Sequence, residues 1–390
     1  MKPLDGVRIV SIEQFAAGPY GTMLLAGMGA EVIRVENASA GGDPARQTGP
    51  YLLGDADSQY FQTWNLNKRS VCLDLKSPEG RHAFEALAAK ADAVVNNLRG
   101  DQPAKLGLDY ARLGSIKPNL VCAHISAYGR DNTRAAWPGY DYLMQAETGL
   151  MSLTGDPDSP PVRAGAPSPI DYATGMTAMV GLLGALIGAM RTGKGCDVDI
   201  CLFDVATHQL GYVATWGLNE ETTVERQSRS GHLSLAPVQT FMTADGWLFI
   251  MCMTDKFWGV LLDVLDRPDL GADPRFATPA ARFDHRDDLT QVLDEIFRAA
   301  STDHWIAALS GRLPVAPVLS VRQALDNPFL AEARLVQTAP HPINPNLKVL
   351  ASPIKINGER SAATVCPALG ADNASLLGRS FAGDKLARRG

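Results

Sequence analysis

Short strand-like and helix-like segments alternate along the first half of this chain, and no other feature restricts its fold as much. Residues 7–12 form an apolar run of strand length. Ala16-Ala17-Gly18-Pro19 then reads as a turn, 20–28 as a helix closed by Gly29, and 31–35 as the next strand. Residues 71–75 are strand-like again and lead into Ser77-Pro78-Glu79, a helix start of capping type, and the amphipathic stretch 81–90. Residues 92–96 and 120–126 continue the series. Strands alternating with helices specify an α/β fold, a parallel sheet covered by helices.

The pattern changes after Asn219. Residues 240–250 read as two strands joined at Ala244-Asp245-Gly246, and helical stretches follow at 257–265, 286–300 and 302–309. A chain of 390 residues is long enough for about two domains. The division expected is a large domain from 1–224 plus 326–390, using both chain ends, and a smaller α+β domain at 225–325. In the tail, 348–350 and 354–356 are strand-like and are expected to pack back on the large domain.

Residues 172–190 carry no charge, close to the ~20 apolar residues of a membrane span. They include Gly175, Gly181, Gly184 and Gly188, and Arg191-Thr192-Gly193-Lys194-Gly195 ends them. A single such segment in an otherwise soluble-looking chain reads as a buried helix whose small residues let another helix or chain come close. Neither a membrane nor a nucleic-acid partner is expected, since the net charge is −6 and no basic run is present. The six cysteines are scattered without a C-x-x-C pair and no signal peptide precedes the first strand, which fits reduced thiols in a cytoplasmic protein. The histidines show no ligand spacing, so no metal is expected, and no G-x-S-x-G elbow suggests a serine hydrolase. The first turn lacks G-x-G-x-x-G, and Pro19 removes an amide that a pyrophosphate would use, which argues against nicotinamide or flavin binding.

Asp171 follows Pro169-Ile170 and opens the uncharged helix. It reads either as a plain helix cap or as a carboxylate that the helix terminus keeps ionised, able to attack an activated carbonyl. Lys76, Arg99 and Lys105 fall near the C-terminal ends of expected strands, where open α/β sheets bind ligands; solvated surface charge is the alternative. Arg34 lies inside a strand and needs a partner or an exit to solvent.

Leu4-Asp5-Gly6-Val7-Arg8-Ile9-Val10 with Ala17-Gly18-Pro19, and Gly29-Ala30-Glu31-Val32-Ile33-Arg34-Val35-Glu36, resemble the opening of the family III CoA-transferases, which include formyl-CoA transferase, carnitine CoA-transferase and α-methylacyl-CoA racemase. Asn67-Lys68-Arg69-Ser70, Leu73-Asp74-Leu75-Lys76 and Pro78-Glu79-Gly80 form a second block. Asp92-Ala93-Val94-Val95-Asn96-Asn97 is similar to the family's D-x-x-V-E-N, with Asn96 in place of Glu. Lys105-Leu106-Gly107, Asp171 with Gly175-Met176, Thr192-Gly193-Lys194-Gly195, Thr243-Ala244-Asp245-Gly246 and Pro367-Ala368-Leu369-Gly370 extend the likeness over nearly the whole chain.

The resemblance implies a Rossmann-like large domain and an interlaced homodimer. It implies coenzyme A, as acyl-CoA, for cosubstrate, an acyl-CoA donor and a carboxylic acid acceptor, and Asp171 as a nucleophile working through anhydride and thioester intermediates. By position, CoA contacts would come from Ala16, Ala17, Asn37, Leu73, Asp74, Leu75, Lys76, Asn97, Leu98, Arg99 and Lys105, with Leu73 and Leu98 about the adenine and Tyr140 and Asp141 beside the catalytic pocket. Ala16 and Asn37 depart from formyl-CoA transferases, which carry Gln and a basic residue there, and 226–236 lacks their glycine run; a formyl/oxalate specificity is not expected.

Racemases of the family pair the aspartate with a His in G-H-D. This chain has Gly139-Tyr140-Asp141, and a phenol, with an ordinary pKa of about 10, is a poor base at neutral pH. Transfer of CoA from succinyl-CoA or a similar donor to a small carboxylic or dicarboxylic acid is the expected activity. α-Methylacyl-CoA racemisation and CoA binding without catalysis are the alternatives.

Overall fold

The computed structural model describes residues 1–165, 167–220 and 223–378; the expected domain segments 221–222 and 379–390 lie outside the described residues. The chain forms two compact units, 1–148 with 165–209 and 328–390, and 149–164 with 210–327. The division therefore differs from the one expected at 224/225. Residues 149–164 join the second unit through Arg226, which donates to the carbonyls of Thr154 and Pro157, and the Arg229 amide, which donates to Asp156; Tyr212 stacks on His232 of the same unit.

The first unit holds six strands: β1 (Arg8–Ile12), β2 (Glu31–Glu36), β3 (Arg69–Cys72), β4 (Ala93–Asn96), β5 (Val121–Ser126) and β6 (Cys196–Cys201). All pairings are parallel, in the order β3-β2-β1-β4-β5-β6. This is the doubly wound Rossmann order, whose direction reverses between β1 and β4. The helices between the strands are α1 (Ala17–Gly27), α2 (Gln59–Asn65), α3 (Pro78–Ala88), α4 (Gln102–Leu106), α5 (Tyr110–Leu113), α6 (Asp141–Glu147) and α7 (Pro169–Thr192), with α8 (Leu202–His208) after β6. β4 and β5 are buried at every position, as central strands covered on both faces must be. α3 begins as its sequence predicts: Ser77 caps the Gly80 amide, Pro78 takes the first turn, and Phe84, Leu87 and Ala88 face the core.

Three local readings change. The helix after β1 starts at Ala17, so the expected turn is already its first coil. β3 ends at Cys72, short of the expected residue 75. Residues 354–356 form no strand, Ile356 making an isolated bridge to Glu359, whereas Lys348–Leu350 pairs antiparallel with Val336–Thr338.

Arg34 finds its partner without leaving the core. It is fully buried, 2.8 Å from the Asp43 carboxylate, and also donates to the Glu13 carbonyl. Lys68, equally buried, sits 2.8 Å from Glu13 and donates to the Pro19 carbonyl. Buried charges of this kind hold only where partners satisfy them. Here they fix the segment 13–19, which leads from β1 into α1.

α7 is the one helix among the described residues long and apolar enough to cross a membrane. The expectation that it is buried holds along one stripe only. Ile170, Thr174, Ala178, Leu182, Leu186 and Ala189 are buried, whereas Met176, Val180, Ile187 and Met190 are 46–73% exposed. Gly193, at φ 69°, ends the helix in the left-handed conformation.

The second unit is built on the antiparallel sheet β7 (Val238–Met242), β8 (Trp247–Met251), β9 (Val315–Pro317). Helices Asp255–Leu265, Arg286–Phe297 and Thr302–Leu309 supply Leu261, Leu293 and Leu309 to a core shared with Phe241, Leu248 and Ile250. It is α+β, and Thr302 ties down the β7–β8 turn through its amide bond to Asp245.

Candidate active site

In a sheet of this order, the crevice forms where neighbouring crossovers leave in opposite directions, at the C-terminal edge between β1 and β4. A cavity of about 230 Å³ opens there. Its walls come from the loop after β1 (Gln14, Phe15, Ala16, Ala17), the loop after β4 (Asn97, Leu98, Arg99) and the end of β5 (Ile125, Ser126, Ala127). Pro138, Gly139, Tyr140, Leu202 and Asp171 complete them.

The two loops are clipped together across the reversal. The Gln14 amide donates to Asn97 Oδ1 at 2.9 Å, and Asn97 Nδ2 donates to the Gln14 carbonyl at 2.7 Å. Next to this clip, Phe15 has φ 56°, a left-handed conformation that costs an L-residue about 1–2 kcal/mol. The Asp43 carboxylate, itself paired with Arg34, holds it by accepting the Phe15 amide at 3.2 Å. The Phe15 ring meets Tyr140 edge-on at 6.2 Å. The buried ion pairs thus shape the cavity wall.

Asp171 reaches the cavity because α7 lies against α1. A Cβ on Gly175 would stand 2.4 Å from the Ala17 carbonyl, and one on Gly21 2.8 Å from the Gly175 carbonyl, so the two glycines set the approach. Tyr172, one residue on, packs its ring on Tyr20 and Trp64 at 4.4 and 4.9 Å.

The electrostatic reading of Asp171 is overturned. Ser168 is the N-cap, Asp171 stands in the first turn, and its carboxyl is pushed up to about 7, not held ionised. Burial is the main cause and the nearby Asp141 charge the second; a hydrogen bond from Ser168 opposes them. The helix dipole does not win because its amides are already engaged. Asp141 Oδ2 accepts the amides of Ile170 at 2.6 Å and Asp171 at 3.0 Å.

The structure brings Ala16, Ala17, Asn97, Leu98, Arg99, Tyr140 and Asp171 into one cavity. It does not bring Asp141 there: that side chain is 3% exposed and turned to the start of α7. Asn37 and the run Leu73, Asp74, Leu75, Lys76 follow β2 and β3, one and two strands along the same sheet edge. Leu73 is only 2% exposed and belongs to the core, so its side chain presents almost no surface to an adenine; Leu98 packs against the same core. Asn37 is exposed but caps the Ser39 amide. Lys105 bonds Asp101 at 2.6 Å and Arg99 lies 3.4 Å from the same carboxylate. Exposed pairs of this sort contribute little, roughly 0–1 kcal/mol, so both cations can exchange Asp101 for a phosphate.

Gln14, Phe15, Ser126 and Leu202 line the cavity without having been singled out. Ser126 could have been found from its place at the end of a strand, and Leu202 by recognising β6. His124 is no second base for the cavity: it is 1% exposed, with Nδ1 2.7 Å from Asn96 and Nε2 2.8 Å from Asp197. Among the described residues no His/Cys/Asp/Glu group could hold a metal ion.

Comparison with known proteins agrees with this architecture. CoA-transferase family III matches residues 4–373. The succinate–glutarate CoA-transferase of Agrobacterium fabrum is 34% identical over 84% of this chain and 82% of its own. The succinyl-CoA:mesaconate CoA-transferase of Haloarcula hispanica is 33% identical over 91% and 90%. The crystal structure of a CAIB/BAIF family protein from Brucella suis superposes with a TM-score of 0.83 at 31% identity, covering 96% of this chain and 98% of that one. With a family match from the first strand into the last described helix, a Rossmann-ordered sheet and a carboxylate in its crevice, this chain belongs to the CoA-transferase family III.

Proposed function

We propose that this enzyme moves CoA from succinyl-CoA or a similar donor to a small carboxylic or dicarboxylic acid, with Asp171 as the nucleophile. The observation that carries the reading is the placement of Asp171 in the wall of the switch-point cavity, which Arg99 also lines. The names of two relatives, a succinate–glutarate and a succinyl-CoA:mesaconate transferase, support dicarboxylates as the acids exchanged.

In the proposed chemistry, the ionised Asp171 carboxylate attacks the donor thioester carbonyl; the C–S bond breaks and CoA leaves as thiolate. The thiolate attacks the aspartyl carbonyl of the resulting mixed anhydride, releasing the donor acid and leaving an aspartyl-CoA thioester. The acceptor carboxylate attacks that thioester to give a second anhydride, and the returning thiolate attacks its acceptor carbonyl to free Asp171. One thioester is exchanged for another, so the cycle needs no external energy source. CoA would lie along the sheet edge, its phosphates reached by Arg99, Lys105 and Lys76. We also propose that the chain works as an interlaced homodimer in the cytoplasm. The exposed apolar residues of α7 support the first and the six free cysteines the second.

Incubation with succinyl-CoA and hydroxylamine tests the mechanism. It is expected to inactivate the enzyme, with a hydroxamate on Asp171 located by mass spectrometry. Inactivation without modification at Asp171 would sink the reading. A 2-methylacyl-CoA in heavy water, without acceptor, is expected to show no rapid α-deuteration; rapid exchange would favour a racemase.

A further inference from the structure

The start of α7 reads Ser168-Pro169-Ile170-Asp171, a sequence that would ordinarily form a reciprocal cap between its first and fourth residues. It does not form one here. The Ser168 side chain makes no cap bond, and the amides of Ile170 and Asp171 both go to one oxygen of Asp141, from α6. The second oxygen of Asp141 accepts from Gln145 on the next turn of α6, so the buried carboxylate is held from two sides.

We propose that Asp141 is a positioning residue: it supplies the anionic cap of α7 in place of Asp171 and thereby leaves the Asp171 carboxylate, which accepts from the Ser168 side chain, off the helix amides and in the cavity wall. The inference rests on the reading of Asp171 as nucleophile. Two consequences follow from the geometry. An aspartate clamped by its own helix terminus would be a weakened nucleophile, because amide bonds stabilise the anion that must attack. A second, fixed negative charge close by raises the basicity of the one that remains free.

The groups acting on Asp171 are Asp141 from α6, Tyr60 from α2, and Tyr172 and Ser168 on its own segment; Tyr20 and Tyr142 act on those tyrosines, and Arg99 lines the same cavity. Burial and Asp141 together set the Asp171 carboxyl at about 7. Only the ionised form attacks, so transfer rises as pH increases through about 7.

The test is Asp141→Asn. Its amide oxygen can still accept both α7 amides, and Gln145 can turn its own amide to match, so the cap survives while the charge goes. The acidic limb of kcat against pH is expected to move down by about one pH unit, with KM for succinyl-CoA within about twofold of wild type. A pH profile superimposable on wild type overturns the proposal. Should the variant not fold, carboxyl carbon-13 titration of the wild type, with Asp171 assigned by difference against Asp171→Asn, decides instead; a titration in the ordinary carboxylate range overturns it. Hydroxylamine trapping on wild type separates the two levels. Absence of a hydroxamate at Asp171 refutes the nucleophile reading. A hydroxamate together with an unshifted Asp141→Asn profile refutes the positioning role alone.

Discussion

Asp171→Asn is expected to lower CoA transfer by about 10⁴-fold or more, the scale seen when a nucleophile is removed, and at the same time to make the protein more stable in mildly alkaline solution. The kinetic part follows from the anhydride mechanism, since an amide oxygen does not attack a thioester at a useful rate. Binding of CoA is expected to persist, because the proposed phosphate contacts, Arg99, Lys105 and Lys76, are untouched. Substantial transfer by this variant would refute the mechanism.

The stability part depends on sign. The Asp171 carboxyl is raised from 3.8 to about 7 in the folded protein. A group raised on folding contributes its full stabilisation below its unfolded pKa and loses it as pH climbs through the folded value. Above pH 8, the ionised carboxylate therefore costs up to about 4 kcal/mol relative to a neutral group of the same shape. Thermal melts should show the variant more stable at pH 8.5, with the gap closing as pH falls toward 4. A gap independent of pH would mean that Asp171 is not raised. A site that loses activity and gains stability on neutralisation is one in which strain has been retained for chemistry.

The sequence places Asp171 at the start of an uncharged helix but does not show what caps that helix. Alternation of strands and helices is legible because β1, β2, β4 and β5 each carry a short apolar stretch, Ile9-Val10, Val32-Ile33, Val94-Val95 and Val121-Cys122-Ala123, between helix-like segments. β6 is hard to read from sequence although Cys196-Asp197-Val198-Asp199-Ile200-Cys201 largely alternates apolar and polar, the pattern of an edge strand, because it follows the helix-ending Gly193–Gly195 so closely. With β6 goes Leu202 of the cavity wall. The cap on α7 could not be read from local sequence at all. Asp141 is thirty positions away from Asp171, and a short-range pattern, Ser168 to Asp171, pointed to a different cap. Tertiary contacts outrank local propensity here, as they do at Leu73, which the sheet draws into the core.

Gly175→Ala is expected to destabilise the protein by about 1–3 kcal/mol, the usual cost of overpacking, although glycine to alanine inside a helix ordinarily stabilises by about 1 kcal/mol. The sign reverses because the added methyl would lie 2.4 Å from the Ala17 carbonyl and 3.2 Å from the Gly21 amide nitrogen. Both are backbone atoms, which cannot rotate aside. α7 must then lift from α1 at the turn that carries Asp171, so kcat should fall along with stability, by roughly 10-fold or more for a displacement near 1 Å. Gly175→Val should be worse on both counts. Gly184 and Gly188, on the same helix, have no atom within 4 Å of the added carbon in the single chain. Alanine at either is expected to be neutral or mildly stabilising in melts of the isolated chain. If alanine at Gly184 instead weakens the protein in a concentration-dependent way, a second copy packs there, as the proposed homodimer requires. Equal effects at Gly175 and Gly188, independent of concentration, would contradict the close α1–α7 approach as the device that sets Asp171 in place.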